Sequence, residues 1–319
     1  MKIVYNGEID KRDFKTVLGK VIPALCLERD DTIYLDADLM SCIGTGTLGR
    51  EHPERAINCG VAEANMIGIA CGLAATGFKP IAHSFGTFAS RRCFDQVFLS
   101  AGYARNDITI IGSDPGVTAA YNGGTHMPFE DMALYRSIPT ATVIDVTDTV
   151  MLESVLRQCP DYPGVKYIRT PRKLPVKVFE DGSQMPIGPA ITLREGNDVA
   201  IFAIGIMVHE AMQAAIALEK DGISAAVVNP FTVKPLDEDT IIAFAQATGA
   251  VVCAENHNRI GGLFSAVADT LVRRCPVPMA CVAVEDTYGE VGPQPYLQQR
   301  FGLTSAHIQQ AVKEVLARK

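Results

Sequence analysis

The chain has 319 residues, 48% of them hydrophobic, and is long enough for two ordinary domains that each bury a full core. Its formal net charge of -7 and its pI of about 5.4 argue against a surface for nucleic acid or for an anionic membrane. Nine cysteines without a C-x-x-C pair favour buried reduced thiols over a disulfide framework or a zinc site. No N-terminal signal pattern is visible, and the longest apolar run, residues 199–208, is too short to span a bilayer, so we expect a cytoplasmic protein.

Strands and helices are predicted to alternate along the first half of the chain. Short apolar runs bounded by turn residues predict buried strands, and apolar residues at helical spacing predict helices. Residues 44–49 match the dinucleotide pattern G-x-G-x-x-G, but R-E-H-P follows where a helix has to begin, so we expect a flexible loop. The predicted strands cover residues 32–35, 80–85, 108–112, 141–145 and 165–169, and the predicted helices residues 9–28, 58–77, 89–104, 129–137 and 147–159.

A second α/β unit follows a stretch rich in Pro, Lys, Asp and Gly at residues 170–189, which predicts a linker or an edge hairpin. The β-α-β rhythm predicts mainly parallel sheets that are covered by helices on both faces. The fold class is therefore α/β, with two doubly wound open-sheet domains at residues 1–178 and 179–319. In the second domain we expect strands at residues 199–204, 224–228, 250–254 and 279–284, and helices at residues 209–220, 237–247 and 262–274.

Glu63 is the only charged residue between positions 58 and 77, where small and apolar side chains predict a helix packed closely on all sides. Burying a carboxylate is costly unless it is hydrogen-bonded or shares a proton. The simpler alternative is that Glu63 lies three residues after an N-cap at Gly60 and completes the first turn of the helix. Asp36 and Asp38 follow the first predicted strand, at the edge where open α/β sheets bind ligands.

The stretch around Glu63 resembles a signature of transketolases and related thiamine-diphosphate enzymes. Residues 60–70, G-V-A-E-A-N-M-I-G-I-A, and residues 72–77, G-L-A-A-T-G, carry the resemblance. It continues in order along nearly the whole chain, through S-F-G-T-F at 84–88, G-G-T-H at 123–126 and E-N-H-N-R-I-G-G at 255–262. The resemblance implies a pyrimidine-binding domain followed by the C-terminal domain of that family.

The pyrophosphate-binding domain of such enzymes has no counterpart in this sequence. Neither a G-D-G run nor an Asn-Asn pair, which hold Mg2+ and the diphosphate in the family, occurs in the chain. The resemblance therefore implies that a partner subunit supplies this site, with two copies of each subunit and the cofactor between them.

In the resemblance, Glu63 is the carboxyl group that bonds the cofactor's pyrimidine nitrogen N1′ and promotes its imino tautomer, which activates the thiazolium carbon. Phe85 and Phe88 match the aromatic residues that pack on the pyrimidine ring; without Glu63 nearby, both read as ordinary core residues. Arg91 stands where transketolases commonly have a tyrosine. Asp38 matches an aspartate of the active-site loop, with a helix N-cap as its alternative.

Three further residues are implied to contact the substrate. His126 matches a histidine that binds substrate oxygens and assists proton transfer, and Arg169 matches a clamp for the substrate phosphate, with a surface ion pair as its alternative. Asn122 replaces an aspartate that binds a hydroxyl group of the donor ketose. An amide also bonds a hydroxyl group but carries no charge, which predicts an unusual donor sugar.

We therefore expect a subunit of a split transketolase, which moves a two-carbon ketol unit from a ketose or ketose phosphate to an aldose. One alternative is the β subunit of a 2-oxo acid dehydrogenase or an enzyme like 1-deoxyxylulose-5-phosphate synthase. Another is a catalytically silent regulatory partner, against which the retention of Glu63 argues. The expected cofactors are thiamine diphosphate and Mg2+, the latter held by the partner subunit.

Overall fold

The computed structural model describes all 319 residues, and they divide into two compact units. The first unit comprises Met1–Pro115 with Leu134–Ile187, and the second comprises Gly116–Ala133 with Gly188–Lys319. The boundary expected between residues 178 and 179 stays a prediction for the two domains. No helix of the chain combines the length and the apolar composition needed to cross a bilayer.

The strands of the first unit form a parallel sheet in the order β5-β6-β4-β3-β1-β2. The chain adds β2 on one side of β1 and then β3 on the other side, so the carboxyl ends of β1 and β3 form a topological switch point. All residues of β1 and β4 are buried, as expected for a parallel sheet covered on both faces. The six strands are β1 (Thr32–Asp36), β2 (Ala56–Asn58), β3 (Lys79–Phe85), β4 (Ile108–Ser113), β5 (Thr142–Asp145) and β6 (Val165–Thr170).

The helices up to residue 158 differ from the sequence predictions at several points. The first helix begins at Phe14 and not at residue 9, because the Asp13 side chain accepts a hydrogen bond from the Thr16 N–H and caps it. Residues 44–49 were expected as a loop but contribute to a short helix that ends at Glu51. These helices are α1 (Phe14–Glu28), α2 (Met40–Ile43), α3 (Gly46–Glu51), α4 (Glu63–Ala75), α5 (Gly86–Ser90), α6 (Phe94–Gln96), α7 (Asp131–Ser137) and α8 (Thr149–Gln158).

The long helix predicted over residues 89–104 is helical but interrupted. A 3-10 turn at Arg91–Cys93 separates α5 from α6, and a π-helix at Val97–Tyr103 follows. Helix α4 was expected to be packed on all sides, and this is wrong for the chain by itself. Met66 and Ala70 are buried, whereas Gly68 and Gly72 are exposed, because only one face of α4 packs against the unit.

The second unit contains a sheet in the order β12-β11-β8-β9-β7. Its strands are parallel except β7, which pairs antiparallel with β9 at one edge. The two α/β domains with mainly parallel sheets are thus confirmed, although β7, β10, α12 and α13 were not predicted. The elements are β7 (Ile191–Arg194), β8 (Val199–Ala203), β9 (Ala225–Asn229), β10 (Thr232–Lys234), β11 (Val251–Asn258), β12 (Met279–Val284), α9 (Met207–Lys220), α10 (Glu238–Thr248), α11 (Leu263–Arg274), α12 (Gln294–Arg300) and α13 (Ser305–Leu316).

Lys166 is a buried cation on β6. Lys166 is 1% exposed, and its Nζ donates a hydrogen bond of 2.7 Å to the Tyr162 carbonyl oxygen. Burial lowers the pKa of this ammonium group from 10.5 to about 8, because desolvation disfavours its charged form. At neutral pH the folded chain therefore carries a charge that burial disfavours.

Replacing Lys166 by methionine should change the pH dependence of stability. Between about pH 8 and 10.5 the unfolded chain binds more protons at this residue than the folded chain, so the contribution of Lys166 to stability rises with pH. The free energy of unfolding of the original chain minus that of Lys166→Met should rise by roughly 2–3 kcal/mol over this range. Urea denaturation at several pH values measures the difference, and a constant difference would contradict the buried charge.

Candidate active site

Glu63 is the first residue of α4 and is 1% exposed. Its Oε1 accepts a hydrogen bond of 2.9 Å from the Ser84 hydroxyl group on β3. Its Oε2 lies 2.8 Å from Nη1 of Arg92, whose side chain is 42% exposed. The carboxylate is therefore buried, but a hydroxyl group and a guanidinium group satisfy it.

The start of α4 differs from the alternative in which Gly60 is the N-cap, although Glu63 does lie in the first turn. The N-cap of α4 is Ala62, and no side chain makes a capping hydrogen bond there. The contacts described for the carboxylate are made to side chains of β3 and of the 3-10 turn. The expectation of uncharged surroundings is wrong, because Arg92 comes from a separate segment and supplies a counter-charge.

Phe85 and Phe88 form an aromatic pair beside this carboxylate. Phe85 ends β3, and Phe88 lies in α5, with ring centroids 6.4 Å apart and ring planes at 62°. The Arg92 guanidinium carbon lies 4.0 Å from the centroid of Phe88, and that of Arg172 lies 5.0 Å from the centroid of Phe85. Both distances are typical of cation–π contacts. Arg92 thus connects two of the predicted cofactor residues, Glu63 and Phe88.

Arg91, predicted to line the cofactor pocket, bonds differently from its neighbour. Its Nη2 donates a hydrogen bond of 3.0 Å to the Thr87 hydroxyl oxygen, one helical turn earlier. Asp38 is exposed and pairs with Asn58, whose amide nitrogen lies 3.0 Å from Oδ1 of Asp38. Asp38 does not cap α2, whose N-cap is Leu39. The described contacts of Arg91 and Asp38 thus do not include Glu63.

A buried polar network lies at the carboxyl ends of β1, β3 and β4. Nδ1 of His83 is 2.9 Å from Oδ2 of Asp36, and Nε2 is 3.0 Å from the Ser113 hydroxyl oxygen. The carboxylate can only accept, so Nδ1 carries the proton and Nε2 of a neutral ring accepts from Ser113. The Tyr34 hydroxyl group donates to the same Asp36 oxygen, and burial followed by the Asp36 charge raises the pKa of Tyr34 well above 10. Since Ser84 follows His83 directly, the network holds the segment that bonds Glu63.

His126 and Asn122 lie in the second unit, in a loop of 3-10 turns. Asn122 is exposed and His126 is partly exposed, with Nδ1 3.0 Å from the Thr125 hydroxyl oxygen. The loop is fixed by close backbone approaches, since a Cβ atom at Gly116 would lie 2.2 Å from the Asn256 side chain and one at Gly124 would lie 2.4 Å from the Gly289 carbonyl oxygen. Glycine is thus required at both positions.

Arg169, predicted to clamp the substrate phosphate, is completely buried on β6. Its Nη1 lies 2.6 Å from Oδ2 of Asp145 on β5, and these two residues are register partners in the sheet. The geometry shows an ion pair, but a buried one and not the surface pair that the alternative expected. A clamp role remains a prediction, and it requires the guanidinium group to move away from Asp145.

Sequence reasoning did not find Arg92, Ser84 and His83. Arg92 directly follows Arg91, the arginine predicted to line the pocket, and nothing in the sequence marks which of the two contacts Glu63. His83 occupies a strand that otherwise reads as apolar, and a polar residue in such a strand is a usable signal for a buried network.

Across the described chain, no group of three or more His, Cys, Asp or Glu side chains is arranged to hold a metal ion.

Comparison with known proteins identifies the family. The family model for the transketolase pyrimidine binding domain matches residues 10–176, and that for the transketolase C-terminal domain matches residues 188–308. Together they cover most of the chain. The chain therefore belongs to the transketolase family, whose members are thiamine-diphosphate-dependent transferases.

Individual relatives of similar length are separate transketolase subunits or sections. The chain is 49% identical to the 6-deoxy-6-sulfo-D-fructose transketolase subunit SqwH of Clostridium sp., over 92% of this chain and 91% of that protein. It is 34% identical to a putative transketolase C-terminal section of Methanocaldococcus jannaschii, over 94% and 95% of the two chains. Human transketolase-like protein 2 is 35% identical, but this chain spans only 49% of its length.

A solved structure of a similar length has the same fold as this chain. The structure described as a split gene transketolase, inactive beta4 tetramer, superimposes with a TM-score of 0.87 at 35% identity, covering 96% of this chain and 98% of that one. These matches confirm the resemblance to a split transketolase over the β subunit of a 2-oxo acid dehydrogenase. The chain corresponds to the transketolase subunit with the pyrimidine-binding and C-terminal domains.

Replacing Tyr34 by phenylalanine should destabilise the first unit. The change removes a donor from the buried Asp36 carboxylate, and hydrogen bonds to charged groups contribute about 1.5–3 kcal/mol each. Tyr103→Phe is the matched control, since Tyr103 is 84% exposed and its change should stay within roughly 0.5 kcal/mol. Urea denaturation compares the two variants, and equal effects would show that the Tyr34 bond does not stabilise the network.

Proposed function

We propose that this chain is the pyrimidine-binding and C-terminal subunit of a split transketolase that moves a two-carbon ketol unit from a ketose donor to an aldose acceptor. The observation that carries the proposal is the buried Glu63 carboxylate beside the Phe85 and Phe88 rings. The carboxylate of Glu63 is bonded by side chains from β3 and from the 3-10 turn, and it makes no capping hydrogen bond at the start of α4. Recognition of a nitrogen heterocycle gives it a role.

The residues present fit thiamine diphosphate. Glu63 offers carboxylate oxygens that share a proton with a ring nitrogen, and the two phenylalanine rings offer faces and edges for a flat heterocycle. When bound, the cofactor supplies the carbanion equivalent that accepts and donates the ketol unit. Glu63 holds a proton at the pyrimidine nitrogen, Phe85 and Phe88 orient the ring and exclude water, and Arg91 and Asp38 line the pocket.

Substrate contacts fall to the loop around His126. Its imidazole binds hydroxyl and carbonyl oxygens of the sugar and passes a proton between them and solvent. Asn122 donates to or accepts from a donor hydroxyl group without adding a charge. The fixed backbone at Gly116 and Gly124 supports this role, because a loop that is held in place loses little entropy when a substrate binds.

The donor is a ketose with a terminal anionic group, and we propose 6-deoxy-6-sulfo-D-fructose. The support is the relative with that printed activity, which is 49% identical over nearly the whole chain. The neutral Asn122 in place of the usual aspartate is consistent with a donor outside the common sugar phosphates.

A partner subunit supplies Mg2+ and the site for the diphosphate, and the active assembly contains two copies of each subunit. The absence of a G-D-G run and of an Asn-Asn pair in the sequence supports a separate source for these ligands. The relative is named as a subunit, and the solved neighbour is described as an inactive tetramer of one chain type.

The purified chain should show no ketol transfer by itself. Activity should arise on addition of a chain with the missing pyrophosphate domain, thiamine diphosphate and Mg2+, because the metal and diphosphate ligands come from that partner. A coupled assay that follows the aldose product, together with size-exclusion chromatography, measures activity and assembly. Full activity of the isolated chain would contradict the split enzyme.

Glu63→Gln should leave the fold nearly intact and lower turnover by orders of magnitude. The amide keeps the shape and a bond to Ser84 but cannot share a proton with the ring nitrogen. Glu54→Gln is the control, since the Glu54 side chain is 63% exposed and takes no part in the site. A loss of only a few-fold in kcat for Glu63→Gln would return this residue to a structural role.

Arg169→Gln should raise the Michaelis constant for donors with a sulfonate or phosphate more than for neutral ketoses, if the guanidinium group reaches the anionic end. The melting temperature is recorded beside it, because loss of the ion pair leaves Asp145 buried. Equal changes in the Michaelis constants of both donor types would assign Arg169 to the ion pair alone.

A further inference from the structure

We propose that, without the cofactor, Arg92 occupies the position where the cofactor's pyrimidine ring binds, and that the ring displaces Arg92 when the cofactor binds. The inference rests on the proposed function, since it takes Glu63 and Phe88 as ligands of that ring. In this proposal, Arg92 pairs with Glu63 when the cofactor is not bound and competes with the cofactor for Glu63 and Phe88.

The first contact is with the carboxylate that the ring nitrogen requires. Arg92 Nη1 lies 2.8 Å from Oε2 of Glu63, while Oε1 is bonded by Ser84. An unpaired carboxylate at 1% exposure would be strongly destabilising, so the free subunit needs this counter-charge. A guanidinium group at Oε2 also occupies the hydrogen-bonding position that a ring nitrogen would need.

The second contact is with the aromatic surface that the ring requires. The guanidinium carbon of Arg92 lies 4.0 Å from the centroid of Phe88, within stacking distance of that ring. A flat, cationic guanidinium group on an aromatic ring is a close physical analogue of a flat, protonated aminopyrimidine. The same side chain therefore satisfies both groups that the heterocycle would otherwise satisfy.

The position of Arg92 allows it to leave. Its side chain is 42% exposed, and it lies in the 3-10 turn between α5 and α6. Its neighbour Arg91 is held by Thr87 and is not bonded to Glu63 in the described contacts. A long side chain at the rim of the site can move its charged group into water at little cost in free energy. Glu63 cannot, because it is buried in the first turn of α4.

Displacement exchanges one hydrogen-bond partner of Glu63 for another. Once Arg92 leaves Oε2, this buried oxygen is open to a hydrogen bond with the pyrimidine nitrogen. The carboxylate would therefore have a partner at Oε2 both before and after the cofactor binds. The apparent affinity for the cofactor is lowered by the contacts that Arg92 has to give up.

The test is the affinity of the assembled complex for thiamine diphosphate in the presence of Mg2+, measured by isothermal titration calorimetry. Arg92→Met keeps an apolar stem near Phe88 but removes the charge, so the dissociation constant should fall by about three- to tenfold, the size of a partly exposed ion pair and cation–π contact. Arg157→Met is the matched control, because Arg157 is 37% exposed, pairs with Glu153 and Glu28, and should leave the constant unchanged.

A thermal measurement on the same variants gives a second readout that does not depend on activity. Without cofactor, Arg92→Met should melt at a lower temperature than the original complex, because Glu63 loses its counter-charge. Its rise in melting temperature on adding the cofactor should be larger. Arg92→Lys keeps a charge but cannot lie flat on Phe88, so it should fall between the two and serves if the methionine variant does not fold.

Several outcomes would overturn the inference. Weaker cofactor binding in Arg92→Met would make Arg92 a direct ligand, and an unchanged dissociation constant would make it a bystander. Glu63→Gln and Phe88→Ala separate this failure from that of the proposed function. If both weaken cofactor binding while Arg92→Met does not strengthen it, only the role of Arg92 is wrong. If neither weakens it, the pyrimidine site itself is wrong.

Discussion

A carboxylate in a nearly dry environment has to be paired, and the pairing of Glu63 is the constraint on which the rest of the site depends. Glu63 is fixed by the first turn of α4, so its partners have to be brought to it. Ser84 arrives on β3, and Arg92 arrives after α5, 29 residues along the chain. A cofactor that replaces one of these contacts would bind a carboxylate that is already held in position and already removed from water.

The parallel sheet of the first unit makes this arrangement possible. Because β1, β3 and β4 run in the same direction, their carboxyl ends present side chains along one edge. The Asp36–His83–Ser113 bonds tie these three ends together in the interior. Because all three side chains of this network are hydrogen-bonded, they hold the backbone of β3 in place. The network thereby also fixes the positions of Ser84 and Phe85, which follow His83.

Depth of burial distinguishes Arg169, which was predicted from the sequence, from Arg92, which was not. Arg169 has a partner inside the sheet, where both groups are desolvated and neither is easily exchanged. Arg92 has its partner at the rim, where water receives the guanidinium group as soon as a better partner for Glu63 arrives. Two arginines, each paired with a carboxylate, therefore differ in how readily water can reach them, because their depths of burial differ.

The fold class, the order of most strands and helices, and the family could be predicted from the sequence alone. The spacing of apolar residues indicates which face of a helix or strand is buried, and the run around Glu63 predicted a buried carboxylate. The same local reasoning gave the wrong result for residues 44–49 and for the outer face of α4, where the exposure of Gly68 and Gly72 depends on what lies beside the helix. Tertiary structure alone decided which arginine meets Glu63 and which is buried with Asp145, because ion pairs form between segments distant in sequence, and no periodicity along the chain records the distance between them.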